Sequence, residues 1–126
     1  VLGVDSVIQT HVPILYLHVI LQKEGKQSFN IPQGFRVGVY VFEGDMDVCG
    51  SQVGKGQFCI LSEGDKCDLS STSSGTQALV LGGIPIQEPI AWGGPFVMNT
   101  REEVMEAYRD FQEGRMGHIS PEIIRA

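Results

Sequence analysis

Histidine is scarce in this chain, and its spacing says more than its number. The 126 residues hold three, His11, His18 and His118, with none between the last two. No pair shares the short spacing used by metal-ligating side chains, and no CxxC pair stands in for them. For His18, the sharper reading is a ligand shared with Cys49 or Cys59. Its place two residues from Tyr16 on the mixed face of a strand favours a plain surface or interface histidine. His11 precedes Pro13 and belongs to a strand entry, and His118 sits in a glycine-flanked tail. Positive charge is also short, with 9 Lys and Arg against 15 Asp and Glu, a net charge of −6. That argues against direct nucleic-acid binding, which draws its affinity from basic patches on phosphates. No apolar run approaches the roughly 18 residues of a membrane helix; the longest, Val12 to Leu21, is broken by Pro13 and His18. The opening VLGVDSVIQ lacks the basic flank and cleavage site of a signal peptide. Three cysteines, Cys49, Cys59 and Cys67, are an odd count. The expectation is therefore reduced thiols in a cytoplasmic protein with no membrane association. GxSxG, P-loop and GxGxxG motifs are absent, and the acidic GDMD at 44–47 is explained by a hairpin turn.

What is present is a patterned β-rich chain. Its apolar fraction of 42% and mean hydropathy of +0.03 suit one globular domain with a real core. Residues 1–9 read as a short edge strand. Residues 14–22 form the strongest strand, with Leu15, Leu17, Val19 and Leu21 on one face and Tyr16, His18 and Ile20 on the other. The aliphatic set should face the interior. Further strands are expected at 28–31, at 36–43 with Val37, Val39 and Val41 inward and Tyr40 and Phe42 outward, at 57–61, at 67–69 and at 77–81. Residues 46–49 read as a hairpin return from the Glu43-Gly44-Asp45 turn, 50–56 as a loop and 70–76 as a polar loop. Short strands with glycine-rich turns about every ten residues indicate an all-β antiparallel barrel or jelly roll.

The stretch at 82–100, GGIPIQEPIAWGGPFVMNT, separates strands from helix. It holds three of the six prolines and the single Trp92. Trp92 and Phe96 could stack on a flat ligand, but pinning a crossing segment to the barrel is the simpler role. Thr100 with Glu103 forms a capping-box pattern. Val104, Ala107, Tyr108 and Phe111 then share one helical face, and Gly114 suits a left-handed C′ position. The helix is expected over 101–113, after a barrel at about 6–90 and before a tail at 114–126 with a short turn after Pro121.

The strand-turn-strand units with EG turns resemble a cupin. The segment GGIPIQEPIAWGGPFVMNT, with its acidic-start helix, resembles the C-terminal domain of the pirin family. So do T-x-x-P-I-L-Y-L-x-V at 10–19 and IPQGF at 31–35. The resemblance covers nearly the whole chain, and GGPFVMNT at 93–100 is its most specific piece. It implies a cupin-like jelly-roll barrel with one C-terminal helix. In pirins the N-terminal cupin domain carries a metal, usually iron, on three histidines and a glutamate. Some members oxidise flavonols such as quercetin, and the animal protein is a nuclear co-regulator.

Counting back from Glu43-Gly44, the cupin histidine positions fall near Gln33 and Phe35 and the glutamate near Val37. Beyond Glu63-Gly64 the last histidine position falls near Cys67. None of these is a histidine or carboxylate, so the resemblance implies a metal-free domain with no catalytic residue and no cofactor. Gln33, Phe35, Val37, Phe58 and Cys67 would then line a barrel mouth open to a small apolar ligand. Cys67 beside Lys66 suggests a nucleophile, but neighbours in a strand point to opposite faces, and small semi-buried hydrophobes describe Cys59 and Cys67 more simply. In a complete pirin this domain packs on the metal-bearing one. Tyr16, His18, Ile20, Tyr40 and Phe42 are the expected interface, with a homodimer or a cupin-domain partner covering it. Two functions compete with association: a small-molecule binder, and one half of a flavonol dioxygenase needing a separate metal-bearing domain.

Overall fold

A computed structural model of the protein describes residues 10–118. The edge strand expected at 1–9 and the turn after Pro121 lie outside the described residues. The chain divides into two compact units, Val1–Pro85 and Ile86–Ala126.

In the first unit, period-two alternation of aliphatic residues builds two antiparallel sheets. One has the order β1(Ile14–Gln22), β8(Gly75–Gly83), β3(Arg36–Glu43), β6(Phe58–Ile60). The other has the order β2(Lys26–Asn30), β7(Lys66–Ser71), β4(Met46–Val48), β5(Ser51–Val53). Both contribute to one buried cluster. Leu15, Leu21, Val37, Val39, Val41, Ala78 and Val80 come from the first sheet; Phe29, Met46, Val48, Val53, Cys67 and Leu69 come from the second. Leu17 and Val19 pack against it half-buried. Each fully buried aliphatic side chain here contributes about 1.5–3 kcal/mol of transfer free energy, so the interior holds the unit together.

Two local readings change in the structure. The return at 46–48 does not pair with β3. β3 pairs with β8 and β6, whereas β4 pairs with β5 and β7. The register of β3 on β8 shifts between Val41 and Glu43, and Gly44 at φ +70 then turns the chain into the other sheet. A Cβ on Gly44 would lie 2.2 Å from the Gly75 carbonyl oxygen, so only glycine fits. Thr76 Oγ1 locks this corner by donating to the Asp45 carbonyl at 2.8 Å and sharing a 2.9 Å bond with Ser71 Oγ. The presumed loop at 50–56 contains β5, joined to β4 through Cys49 (φ 51) and Gly50 (φ 86), a two-residue left-handed turn.

In the second unit, β9(Ala91–Gly93) and β10(Phe96–Met98) form a hairpin, and α1(Arg101–Gln112) follows. A hairpin thus lies inside the stretch expected to be a plain crossing segment. Its Gly93-Gly94-Pro95 turn has a steric cause. A Cβ on Gly93 would meet Val104 Cγ1 at 2.7 Å, and one on Gly94, at φ +53, would meet Tyr108 Oη at 2.2 Å. The helix buries Val104 and Ala107 and sets Tyr108 edge-on to Phe96 at 5.0 Å. Both halves of the capping box are present. The Glu103 N–H donates to Thr100 Oγ1 at 3.2 Å, and the Thr100 N–H donates to Glu103 Oε2 at 2.8 Å. Gly114, at φ 73, follows the helix end as expected. Among the described residues, no helix is long and apolar enough to cross a membrane.

Candidate functional site

The outward face of the β1-β8-β3-β6 sheet breaks the usual pattern of a solvated antiparallel sheet, whose outer positions are polar. Register places Tyr16, Leu81, Gly38 and Ile60 in one row across the four strands. His18, Leu79, Tyr40 and Phe58 form the next row, and Ile20, Gln77 and Glu43 a third. The face is aromatic and aliphatic, and it is open: Tyr16 is 63%, Ile20 66%, Phe58 52% and Ile60 75% exposed.

Two devices shape it. Gly38 leaves room for the Phe58 ring, whose Cζ sits 2.3 Å from where a Cβ would be. The ring therefore lies over bare backbone, as aromatics do beside sheet glycines. The register shift at Val41 and Glu43 brings the consecutive residues Phe42 and Glu43 to this one face. Phe42 lies against the His18 ring with centroids 5.5 Å apart. Glu43 Oε2 accepts from Gln77 Nε2 at 2.6 Å, and Gln77 Oε1 accepts from His18 Nε2 at 2.9 Å. This relay holds the imidazole at one margin of the apolar rows. Arg36, 3.7 Å from Glu63, stands at the opposite margin.

The five residues expected at an interface, Tyr16, His18, Ile20, Tyr40 and Phe42, are thus brought onto one face. Sequence reasoning missed Ile60, Leu79 and Leu81 and assigned Phe58 elsewhere. The signal was available for β6, where Phe58 and Ile60 alternate with the half-buried Cys59 and Leu61.

The five residues expected around a barrel mouth are dispersed. Val37 and Cys67 are packed inside the core, and Phe35 lies half-buried against it. Gln33 is exposed in the turn after β2, and Phe58 stands on the opposite, outward side of the sheet from Val37. Phe58 instead edges an open surface depression with Ser51, Gln52, Val53, Gln57 and Cys59. A second depression, lined by Lys26, Ser28, Asp47 and Asp68 among others, lies on the other sheet. There Ser28 Oγ donates to Asp68 at 2.5 Å and Lys66 Nζ sits 3.0 Å away, which holds the Asp68 carboxyl below its usual range.

A cupin iron does not fit the residues at the counted positions. Gln33, Phe35 and Val37 offer no imidazole or carboxylate. Cys67 is a protonated thiol, pushed up to about 12 by burial first and by Cys49 next. Among the described residues, no three His, Cys, Asp or Glu side chains are grouped to hold a metal ion.

Residues 16–117 match the family model of the pirin C-terminal cupin domain. Rat pirin is 36% identical over 121 residues, covering 92% of this chain and 42% of its own length. A tomato pirin-like protein is 34% identical over 120 residues, covering 92% of this chain and 41% of its own length. A crystal structure of quercetin 2,3-dioxygenase from Acinetobacter baumannii superposes with a TM-score of 0.80 at 36% identity, covering 93% of this chain and 41% of that one. The chain therefore spans about two fifths of the length of these relatives. The fold is the cupin-like antiparallel β-barrel with a C-terminal helix, and the chain belongs to the pirin family, carrying its C-terminal cupin domain.

Proposed function

We propose that this chain is a metal-free cupin module that acts by association. Its outward β1-β8-β3-β6 face docks on a metal-bearing cupin domain, or on a second copy of itself when that domain is lacking. The observation that carries this reading is the run of apolar side chains across all four strands, exposed at Tyr16, Ile20, Tyr40, Phe58 and Ile60 and half-buried at Leu79 and Leu81. A surface of that kind lowers its free energy when another protein covers it. Support also comes from length: the relatives have more than half their chain beyond the matched part.

A second reading is favoured by the name of the A. baumannii neighbour. The module would be one half of a flavonol dioxygenase, with oxygen chemistry in the other half and support from this one. One experiment addresses both. The part of the A. baumannii quercetin 2,3-dioxygenase that this chain does not match is produced alone and mixed with the chain. Sedimentation velocity reads the complex, and quercetin loss reads activity. A one-to-one complex that Ile60→Lys weakens at least tenfold is expected, since a buried lysine without a partner costs several kcal/mol. A clean monomer that binds neither the half nor itself at micromolar concentration refutes association. Binding without quercetin turnover leaves association standing and rejects the dioxygenase half.

A further inference from the structure

The two sheets of the first unit end in four edge strands, β1 and β6 on one and β2 and β5 on the other. An edge strand displays unpaired N–H and C=O groups, and proteins normally keep such edges short, charged or bulged. Three of the four follow this rule: β5 and β6 have three residues each, and β2 has five and opens on Lys26. β1 breaks it, running nine residues, about 30 Å at strand rise, in a stretch ILYLHVILQ with no Asp, Glu, Lys, Arg or Pro. Its register on β8 is unbroken from Ile14 opposite Gly83 to Gln22 opposite Gly75, so no bulge turns it away. In an antiparallel ladder about half of a strand's backbone groups point away from its partner. On β1, apart from the turn bond from the Gly25 N–H to the Gln22 carbonyl, these groups have no backbone partner among the described residues. Leu17 and Val19, which face the core, are left only half-buried beside this open edge.

We propose that β1 is a dimerisation edge whose partner is the β1 of a second copy. The two strands pair antiparallel about a two-fold axis, and two four-stranded sheets become one of eight strands. A two-fold interface must be self-complementary, and this strand is. With all nine residues paired, His18 meets His18 of the second copy, Tyr16 meets Ile20, Ile14 meets Gln22 and Leu17 meets Val19. Outward residues therefore meet outward ones and core-side residues meet core-side ones, an agreement that a one-residue slip would destroy. Tyr16 and Ile20 make an aromatic and β-branched cross-strand pair on each side of the axis. Leu17 and Val19 cover each other where the open edge leaves them half-buried. No side chain of fixed charge lies on the strand, so like charges do not meet across the axis. This pairing uses the backbone edge of the sheet, whereas the association proposed above uses its outward face, so each stands without the other.

The test uses the full chain and reads mass and backbone protection together. Sedimentation velocity should show a dimer that dissociates on dilution. Amides of Ile14–Gln22 should exchange about tenfold more slowly at about 100 μM than at about 1 μM, since paired edge amides exchange only after opening. Ile60→Lys, on the far edge strand of the same sheet, should leave both readings unchanged. Cysteine trapping checks the register. His18→Cys should link two chains under oxidised glutathione, because Cα atoms across an antiparallel pair lie about 4.5–5.5 Å apart, within disulfide reach. Tyr16→Cys should not, because the two Tyr16 positions stand about four residues, or about 14 Å, out of step. Either link appears in the tryptic peptide ending at Lys23, which holds no native cysteine. A monomer throughout, or protection of Ile14–Gln22 that does not depend on concentration, overturns the proposal. So does equal trapping of the two variants. A dimer that Ile60→Lys weakens and that leaves Ile14–Gln22 unprotected also overturns it, while supporting docking through the outward face.

Discussion

Raising the pH should destabilise this protein through Cys67 in a window that the fold itself sets. The thiol is held up to about 12 against an ordinary value of 9.0. Its folded value is above its unfolded value, so the neutral thiol is the form the core favours. The associated stability is fully present below pH 9, where both states are protonated. It is lost as pH rises towards 12, because the unfolded thiol ionises first and the folded one does not follow. At 1.36 kcal/mol per pH unit, the loss is roughly 1 kcal/mol near pH 10 and on the order of 3 kcal/mol near pH 11. Burial is the leading cause, followed by Cys49, Asp68 and Cys59. Urea unfolding in the presence of a phosphine reductant, at about pH 8 and about pH 10, reads the effect. With a urea slope of about 1–3 kcal/mol/M, the midpoint should fall by a few tenths of a molar to about 1 M. Cys67→Ala provides the control: it is less stable at every pH but lacks this component of the slope. Parallel pH profiles for parent and variant would refute the assignment of the buried thiol as the titrating group.

Other expectations follow from single contacts. Gly94→Ala should destabilise by about 1–3 kcal/mol in thermal unfolding, because the left-handed φ and the Tyr108 hydroxyl both oppose a Cβ. Gly44→Ala should fall in a similar range, with the Gly75 carbonyl in the way. Thr100→Ala should remove about 1 kcal/mol by deleting the helix cap. The Glu103 carboxyl is held below its ordinary value chiefly by the Thr100 hydroxyl. Its contribution is present above about pH 4.5 and lost as pH falls below that, and Glu103→Gln should flatten this acid limb of the melting profile. Gly38→Ala should displace the Phe58 ring and, on the association reading, weaken docking measured by sedimentation while leaving the far-ultraviolet circular dichroism of the sheets intact.

Much of the fold was legible because it rests on local rules. Alternation placed Val37, Val39 and Val41 inward and Tyr16, His18 and Ile20 outward, and the structure agrees. The helix, its Thr100–Glu103 cap and the left-handed Gly114 were readable for the same reason, since each depends on residues within a few positions. Strand partners were not readable this way. The hairpin expected from 36–43 to 46–49 obeys every local rule for a turn, yet the chain changes sheets at Gly44. Nothing within ten residues records that Gly75 and Thr76 wait on the far side of that corner.

The sequence by itself determined which side chains are apolar, which faces of the longer strands point inward and which family this is, because these are properties of composition, period and contiguous motif. It also established that the counted cupin ligand positions carry no imidazole or carboxylate. Tertiary structure alone decided the company those residues keep. Register across β1, β8, β3 and β6 assembled Tyr16, Tyr40, Phe58 and Ile60 into one face. It put Phe58 on the opposite side of the sheet from Val37 and closed Cys67 inside the core. Such neighbours are set by hydrogen bonds between segments far apart in the chain, and a one-residue slip in any strand would turn each of these side chains to the other face.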